Sequence, residues 1–239
     1  IFPMLLNPDT LAYGGDALAR DEAGRAVFLP LALPGERVRA EVIEDKGHHL
    51  RARVLEVLQA SPDRVEPRCR HFGECGGCHY QHLSYPAQLR AKRQILSEQL
   101  TRLGGFADPP VAATLPSPAA WGYCRRARFS LDAQGRLGYQ AARSNRVIPI
   151  ADCPILHPAR ADLWPQLALE PGLNLTGISL LAGSDDDLLI ALEGALADAP
   201  ELELDVPVSV VALPSGSDPS GQGAPLVLAG RDSVQMEVL

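Results

Sequence analysis

The run Cys69-Arg-His-Phe-Gly-Glu-Cys75-Gly-Gly-Cys78 constrains this chain more than any other stretch. Five residues separate the first thiol from the second, and two separate the second from the third. Cys153 stands much later, directly before Pro154. Four thiolates can close one soft metal centre. Such a centre would oblige the chain near residue 153 to fold back onto residues 69–78, a long-range tie that few folds satisfy. Gly76 and Gly77 fill the two-residue gap, so the backbone can wrap a metal and aim N–H groups at sulfur. The same four sulfurs suit a 4Fe–4S cluster or structural zinc, and His71, His79 and His82 keep zinc open. Unmetallated thiols are the third reading. No second Cys-x-x-Cys pair exists, which argues against a zinc ribbon. Cys124 lies outside the pattern and reads as a small packing residue.

At 239 residues the chain has room for one large domain or two to three small ones. No run of eighteen apolar residues occurs, so no membrane span is expected. The chain does not open on a charged segment followed by an apolar one, so no secretion signal is expected. Five cysteines, an odd count with three clustered, fit a reducing cytoplasm better than a disulfide framework. The net charge of −7 is unevenly spread. Residues 161–239 hold thirteen acids and one base, whereas residues 88–146 hold ten bases and three acids. A basic middle is what a polyanion partner needs. The plainer reading is a solvated face with ion pairs to the acidic end.

Residues 1–60 read as short strands. Ala26 to Leu29, Arg37 to Ile43 and His49 to Leu58 are the clearest, the last two alternating charged with apolar residues. Gly14-Gly15, Pro34-Gly35 and Lys46-Gly47 supply turns. Several short strands in one small segment imply a barrel of the OB type. After Ser61-Pro62 and the cysteine run, Ser84 can cap a helix with Pro86 in its first turn. Leu89, Leu96, Leu100 and Leu103 recur at helical intervals as its apolar face, and Gly104-Gly105 stops it. Strands are expected again at 126–131, 136–140, 147–150, 173–181, 187–192, 206–213 and 226–229. Residues 158–169 are expected to be helical, and 215–223 a flexible loop.

A second constellation is Trp121-Gly-Tyr-Cys-Arg-Arg-Ala-Arg-Phe-Ser. Arg125, Arg126 and Arg128 interleave with Tyr123 and Phe129. Guanidinium groups contact phosphates, and aromatic faces accept unstacked bases. On a strand, Arg126 and Arg128 share one face, with Arg125 and Phe129 on the other. These four residues are the candidate RNA contacts. The competing reading makes the aromatics core and the arginines plain surface.

The chain resembles the S-adenosylmethionine-dependent RNA uracil-5-methyltransferases, in particular the iron–sulfur branch that acts on ribosomal RNA. The residues that carry the resemblance are Leu33-Pro-Gly-Glu-Arg-Val, Ser61-Pro-Asp-Arg-Val-Glu-Pro-Arg-Cys, His71 through Leu83, Tyr85 through Lys92, Trp121-Gly-Tyr with its arginines, and Asp152-Cys-Pro. Together they span about residues 10–156. The resemblance implies a mostly β chain with some α. An OB-like TRAM domain over 1–60 would bind RNA. An α+β iron–sulfur central domain would follow, with its cluster loop and helix at 61–105 and a β-rich remainder at 106–239. It implies a 4Fe–4S cluster on Cys69, Cys75, Cys78 and Cys153, with RNA, ribosomal in this branch, as partner and no protein partner. Cys124 stands where the family usually has a basic or polar residue.

Family members also carry a Rossmann-like domain with the S-adenosylmethionine site, the nucleophilic cysteine and the general base. No Gly-rich strand–turn–helix fingerprint for that donor occurs here. The expectation is therefore an RNA-binding and cluster-binding portion without its catalytic domain. No catalytic or donor-binding residue is assigned, and S-adenosylmethionine is a cofactor of the intact enzyme only. The alternative is a free-standing, non-catalytic iron–sulfur or zinc RNA-binding module.

Overall fold

In a computed structural model, residues 3–161, 163–167, 174–184, 187–195, 202–213 and 225–235 are described. The chain divides into two compact units, one of residues 1–73 with 78–118 and one of residues 74–77 with 119–239. The fold is mostly β.

The first unit is built on strands β1 (Met4–Leu6), β2 (Thr10–Leu11), β3 (Ala17–Arg20), β4 (Ala26–Leu29), β5 (Arg37–Asp45) and β6 (His49–Gln59). They form one six-stranded sheet in the order β1-β5-β6-β4-β3-β2. The alternation in β5 and β6 does what its period dictates. Val38, Ala40, Leu50 and Ala52 are buried, while Arg37, Arg39 and Arg53 face solvent. Three register shifts interrupt the β5–β6 ladder. Each leaves one residue unpaired, Ile43, Leu55 or Leu58, and all three are exposed. Bulges of this kind bend and twist long strands, which lets the two longest strands curl around the core.

Helix α1 (Tyr85–Arg102) follows in the same unit. Pro86 sits in its first turn as expected, but the Ser84 hydroxyl donates to Asp63 Oδ1 (3.2 Å) instead of capping the helix. The buried face is also not the leucine stripe. Ala87 and Ile95 are buried and Ala91 packs against the core, whereas Leu96 and Leu103 are exposed. Alanines bring the helix backbone close to the sheet, and larger leucines would hold it off. A returning strap then follows one helix edge: Arg93 Nε donates to the Val111 carbonyl (3.0 Å), Thr114 Oγ1 to the Leu89 carbonyl (3.0 Å) and Ser117 N–H to the Tyr85 hydroxyl (2.7 Å). Because Leu83, Ala87 and Ile95 join the core of Val27, Leu29, Leu33 and Val38, the helix belongs with the sheet. A three-part division at 60 and 105 is replaced by this shared core.

The second unit contains β7 (Arg126–Leu131), β8 (Leu137–Gln140), β9 (Val147–Pro149), β10 (Leu175–Ala182), β11 (Leu188–Gly194), β12 (Val208–Leu213) and β13 (Leu226–Ala229). Their order is β13-β12-β11-β10-β7-β8-β9, and only β11 and β12 run parallel. Phe129, Ile178, Leu180, Ile190 and Leu192 form its centre. The helix expected at 158–169 reduces to α2 (Pro158–Ala161) and a 3-10 turn at Trp164–Gln166. Pro165 removes the N–H that a continuous helix would need. Residues 168–169 and the loop expected at 215–223 lie outside the described residues. Among the described residues, no helix is long and apolar enough to cross a membrane.

Candidate metal-binding and RNA-facing sites

Cys69 and Cys78 belong to the first unit, and Cys75 and Cys153 to the second. In the first, residues 63–65 pair with 82–84. Val65 N–H donates to the His82 carbonyl (2.9 Å), and Ser84 N–H to the Asp63 carbonyl (2.9 Å). The Gln81 side chain, only 8% exposed, reaches across and accepts the Cys69 N–H at 3.0 Å. The Cys69 carbonyl in turn accepts the Phe72 N–H (3.1 Å), so the first cysteine is held on both sides of its backbone. Phe72 lies against the His82 ring at 5.2 Å between centroids.

In the second unit, residues 74–76 add to the chain after β8. Cys75 bridges Ala141, Gly76 N–H donates to the Gln140 carbonyl (2.9 Å), and Ala142 N–H to the Glu74 carbonyl (3.2 Å). A Cβ on Gly76 would sit 2.9 Å from that Gln140 oxygen, so the first glycine of the gap is required by backbone approach. The second glycine serves the sulfur directly, with Gly77 N–H donating to Cys75 Sγ at 3.4 Å. Cys153 opens a turn whose Leu156 N–H donates back to the Cys153 carbonyl (3.0 Å). Cys124 lies alongside this turn, its N–H on the Ile155 carbonyl (2.8 Å) and its thiol donating to the Arg126 carbonyl (2.9 Å).

None of the five cysteines is in a disulfide, and all are partly buried. Four thiols, one already receiving an N–H, have the donor chemistry of a soft metal centre. Among the described residues, however, no group of three or more His, Cys, Asp or Glu side chains is gathered so that it could hold an ion. His82 is 2% exposed, and neither ring nitrogen has a hydrogen-bond partner. Burial, with the nearby Arg64 guanidinium, pushes its pKa down to about 4.

The four expected RNA contacts separate. Arg126 is exposed on β7. Arg128 shares its outward direction, but its Nε donates to Glu193 Oε2 at 2.6 Å, and Glu193 also accepts the Ser179 hydroxyl (2.7 Å). The Arg125 guanidinium donates to the Gly183 carbonyl. Phe129 must be corrected. It is fully buried, stacked on Tyr139 and edge-on to Trp164, each at 5.0 Å, and cannot offer a face to a base. Period two put it opposite Arg126 and Arg128, which is the core side of the sheet. Sequence reading did not single out a set on the first unit: Arg51, paired with Asp16 at 2.6 Å, lies over Phe28 at 5.9 Å, and Phe28 meets His49 edge-on at 5.4 Å. The alternation of β6 puts residues 49, 51 and 53 on one face, and that was the available signal.

Residues 7–55 match the TRAM domain family. The 23S rRNA (uracil(1939)-C(5))-methyltransferase RlmD of Halomonas elongata is 46% identical over 181 residues, covering 72% of this chain and 37% of that protein. An uncharacterized RNA methyltransferase of Streptomyces avermitilis is 36% identical over 215 residues, covering 84% of this chain and 50% of that one. The chain thus spans between about a third and half of the length of these curated relatives. Among solved structures, the Pyrococcus abyssi tRNA (uracil-54, C5)-methyltransferase in complex with S-adenosyl-L-homocysteine shares the fold. The TM-score is 0.60 at 18% identity, over 94% of this chain and 54% of that one.

Proposed function

We propose that this chain is the RNA-holding and cluster-binding portion of a ribosomal RNA uracil C5-methyltransferase of the cytoplasm. The observation that carries the reading is the 46% identity to the Halomonas elongata enzyme across most of the chain, and the TRAM match supports it. In this reading the first unit, with its OB-like sheet, and the exposed Arg126 grip a folded RNA. The target uracil leaves its stack so that carbon 5 can be reached. S-adenosylmethionine supplies the methyl group when bound. No described residue is assigned to that donor or to the uracil.

Cys69, Cys75, Cys78 and Cys153 are proposed to hold a structural 4Fe–4S cluster. What supports this is their spacing, the absence of disulfides and the N–H···S contact at Cys75. Four cysteine ligands leave no open iron, so the cluster has no assigned part in the methyl transfer. Anaerobic purification with iron, sulfide and zinc analysis tests it. The expected result is a brown chain that loses most of its iron and sulfide on Cys153→Ser. One equivalent of zinc without iron, or a fully retained chromophore in the variant, overturns it.

RNA contact is tested at β7. Arg126→Ala is expected to weaken RNA binding and lower the slope of log affinity against log salt by about 1. Arg128→Ala should change that slope less, because its guanidinium is already engaged by Glu193. An unchanged slope in Arg126→Ala removes this residue from the interface.

A further inference from the structure

We propose that Gln81 is a positioning residue for the cluster, holding the thiolate of Cys69 in register with that of Cys78. The inference rests on the four-thiolate reading above and concerns a residue that supplies no ligand atom.

Gln81 follows Cys78 by three residues and lies in the first unit with both Cys78 and Cys69. Its backbone is fixed because the next residues are locked into pairing with 63–65. Its side chain is almost wholly buried, a costly place for an amide that lacks a bonding partner. The carbonyl end accepts the Cys69 N–H at 3.0 Å, across twelve residues of chain. Cys69 otherwise stands at the start of a turn, with only the Phe72 N–H on its carbonyl. The Gln81 bond therefore closes the loop that runs from the first cysteine to the third. It fixes the Cα of residue 69 relative to the segment that carries residue 78, and a thiolate can swing only within the reach of one Cβ–Sγ bond. The same bond occupies a backbone donor that would otherwise be buried without an acceptor.

A residue of this kind acts on a metal site through its ligand. Partners of metal ligands typically cost 10–100-fold in metal affinity when removed. Gln81→Leu keeps the bulk and deletes the acceptor, while Gln81→Glu keeps an acceptor oxygen at the same reach. The test compares three full-length chains, parent, Gln81→Leu and Gln81→Glu, purified anaerobically. Readouts are iron and sulfide per chain, the rate of bleaching by an iron chelator, the electron paramagnetic resonance spectrum of the reduced cluster, and the thermal midpoint of each chain without metal.

Gln81→Leu is expected to bleach about tenfold faster or more, with an altered reduced-state spectrum. Gln81→Glu should recover most of the parent's retention. The metal-free chains should melt close together. A Gln81→Leu chain that bleaches at the parent's rate with the parent's spectrum overturns the inference. So does one whose metal-free form has lost stability in full proportion, or whose defect Gln81→Glu fails to reduce. A parent chain without iron and sulfide sinks the four-thiolate reading itself, and this inference with it. A brown parent with an indifferent Gln81→Leu sinks the inference alone.

Discussion

Glu36→Ala is expected to cost about 3–5 kcal/mol of folding stability, measured by urea unfolding of the chain. The Glu36 side chain is completely buried, yet every contact it makes favours the carboxylate. Arg64 Nε and Nη2 donate to it at 2.6 and 2.9 Å, the Leu33 N–H at 2.9 Å and the Ser61 N–H at 3.2 Å. Burial alone would raise its pKa, but Arg64 and the two backbone donors outweigh burial and hold it below the ordinary value of 4.5. Truncation orphans two buried backbone donors, at about 1–3 kcal/mol each, and leaves a guanidinium that is only a quarter exposed. A folded pKa below the unfolded one makes this contribution present above about pH 4.5 and lost as pH falls through the lowered value. Arg64→Leu removes the main counterweight to burial, so that the stability gained on leaving acid should shrink. A loss under 1 kcal/mol in Glu36→Ala would show that this carboxylate does not pin residues 33, 61 and 64 together.

Why was the middle of the first unit legible and the helix face not? Strand alternation is a local property, and nothing else competes for the two faces of β5 and β6, so the pattern of Val38, Ala40, Leu50 and Ala52 reads directly. A helix with leucines on one side and alanines on another offers two apolar stripes. Which one is buried depends on how close the partner sheet stands, and here close approach selected Ala87, Ala91 and Ile95. The three bulges were invisible because a shift of register leaves no mark on alternation over so short a span.

The candidate sites divide the same way. Cysteine spacing identified the thiols, and the glycine gap proved to hold two different roles at Gly76 and Gly77. Which residues hold the thiol-bearing loops could not be read, since Gln81 to Cys69 is a tertiary contact between positions twelve apart. Arg128 shows the limit more sharply. Its neighbours gave it the look of a nucleic-acid contact, while its partner, Glu193, lies sixty-five residues downstream in the acidic third. That acidic surplus was visible in the sequence, and so was the plainer ion-pair reading; only the pairing of β7 with β10 and of β10 with β11 decided between them for this residue. Phe129 failed for a simpler reason: the same alternation that exposes two arginines turns the ring between them toward the core.

The second large effect lies at His82 and should appear as acid lability well above the carboxylate range. Its imidazole is buried with both nitrogens lacking partners, packed on Phe72, and its pKa falls from 6.5 to about 4 through burial first and the Arg64 charge second. Here the unfolded chain binds the proton more readily than the folded one. The contribution is therefore complete above about pH 6.5 and is withdrawn as pH falls from there toward 4. At 1.36 kcal/mol per pH unit, that window is worth about 3 kcal/mol. The Glu36 contribution declines only below about 4.5, so the two losses follow one another on acidification. His82→Phe separates them. It keeps a ring against Phe72, removes two unsatisfied nitrogens and should hold stability nearly level from pH 7 to 5, leaving the lower decline in place. Unfolding free energies for parent and variant at pH 7, 6, 5 and 4 decide the matter through their difference. If the two chains lose stability in parallel across pH 6.5 to 4.5, His82 is not the group that takes up the proton.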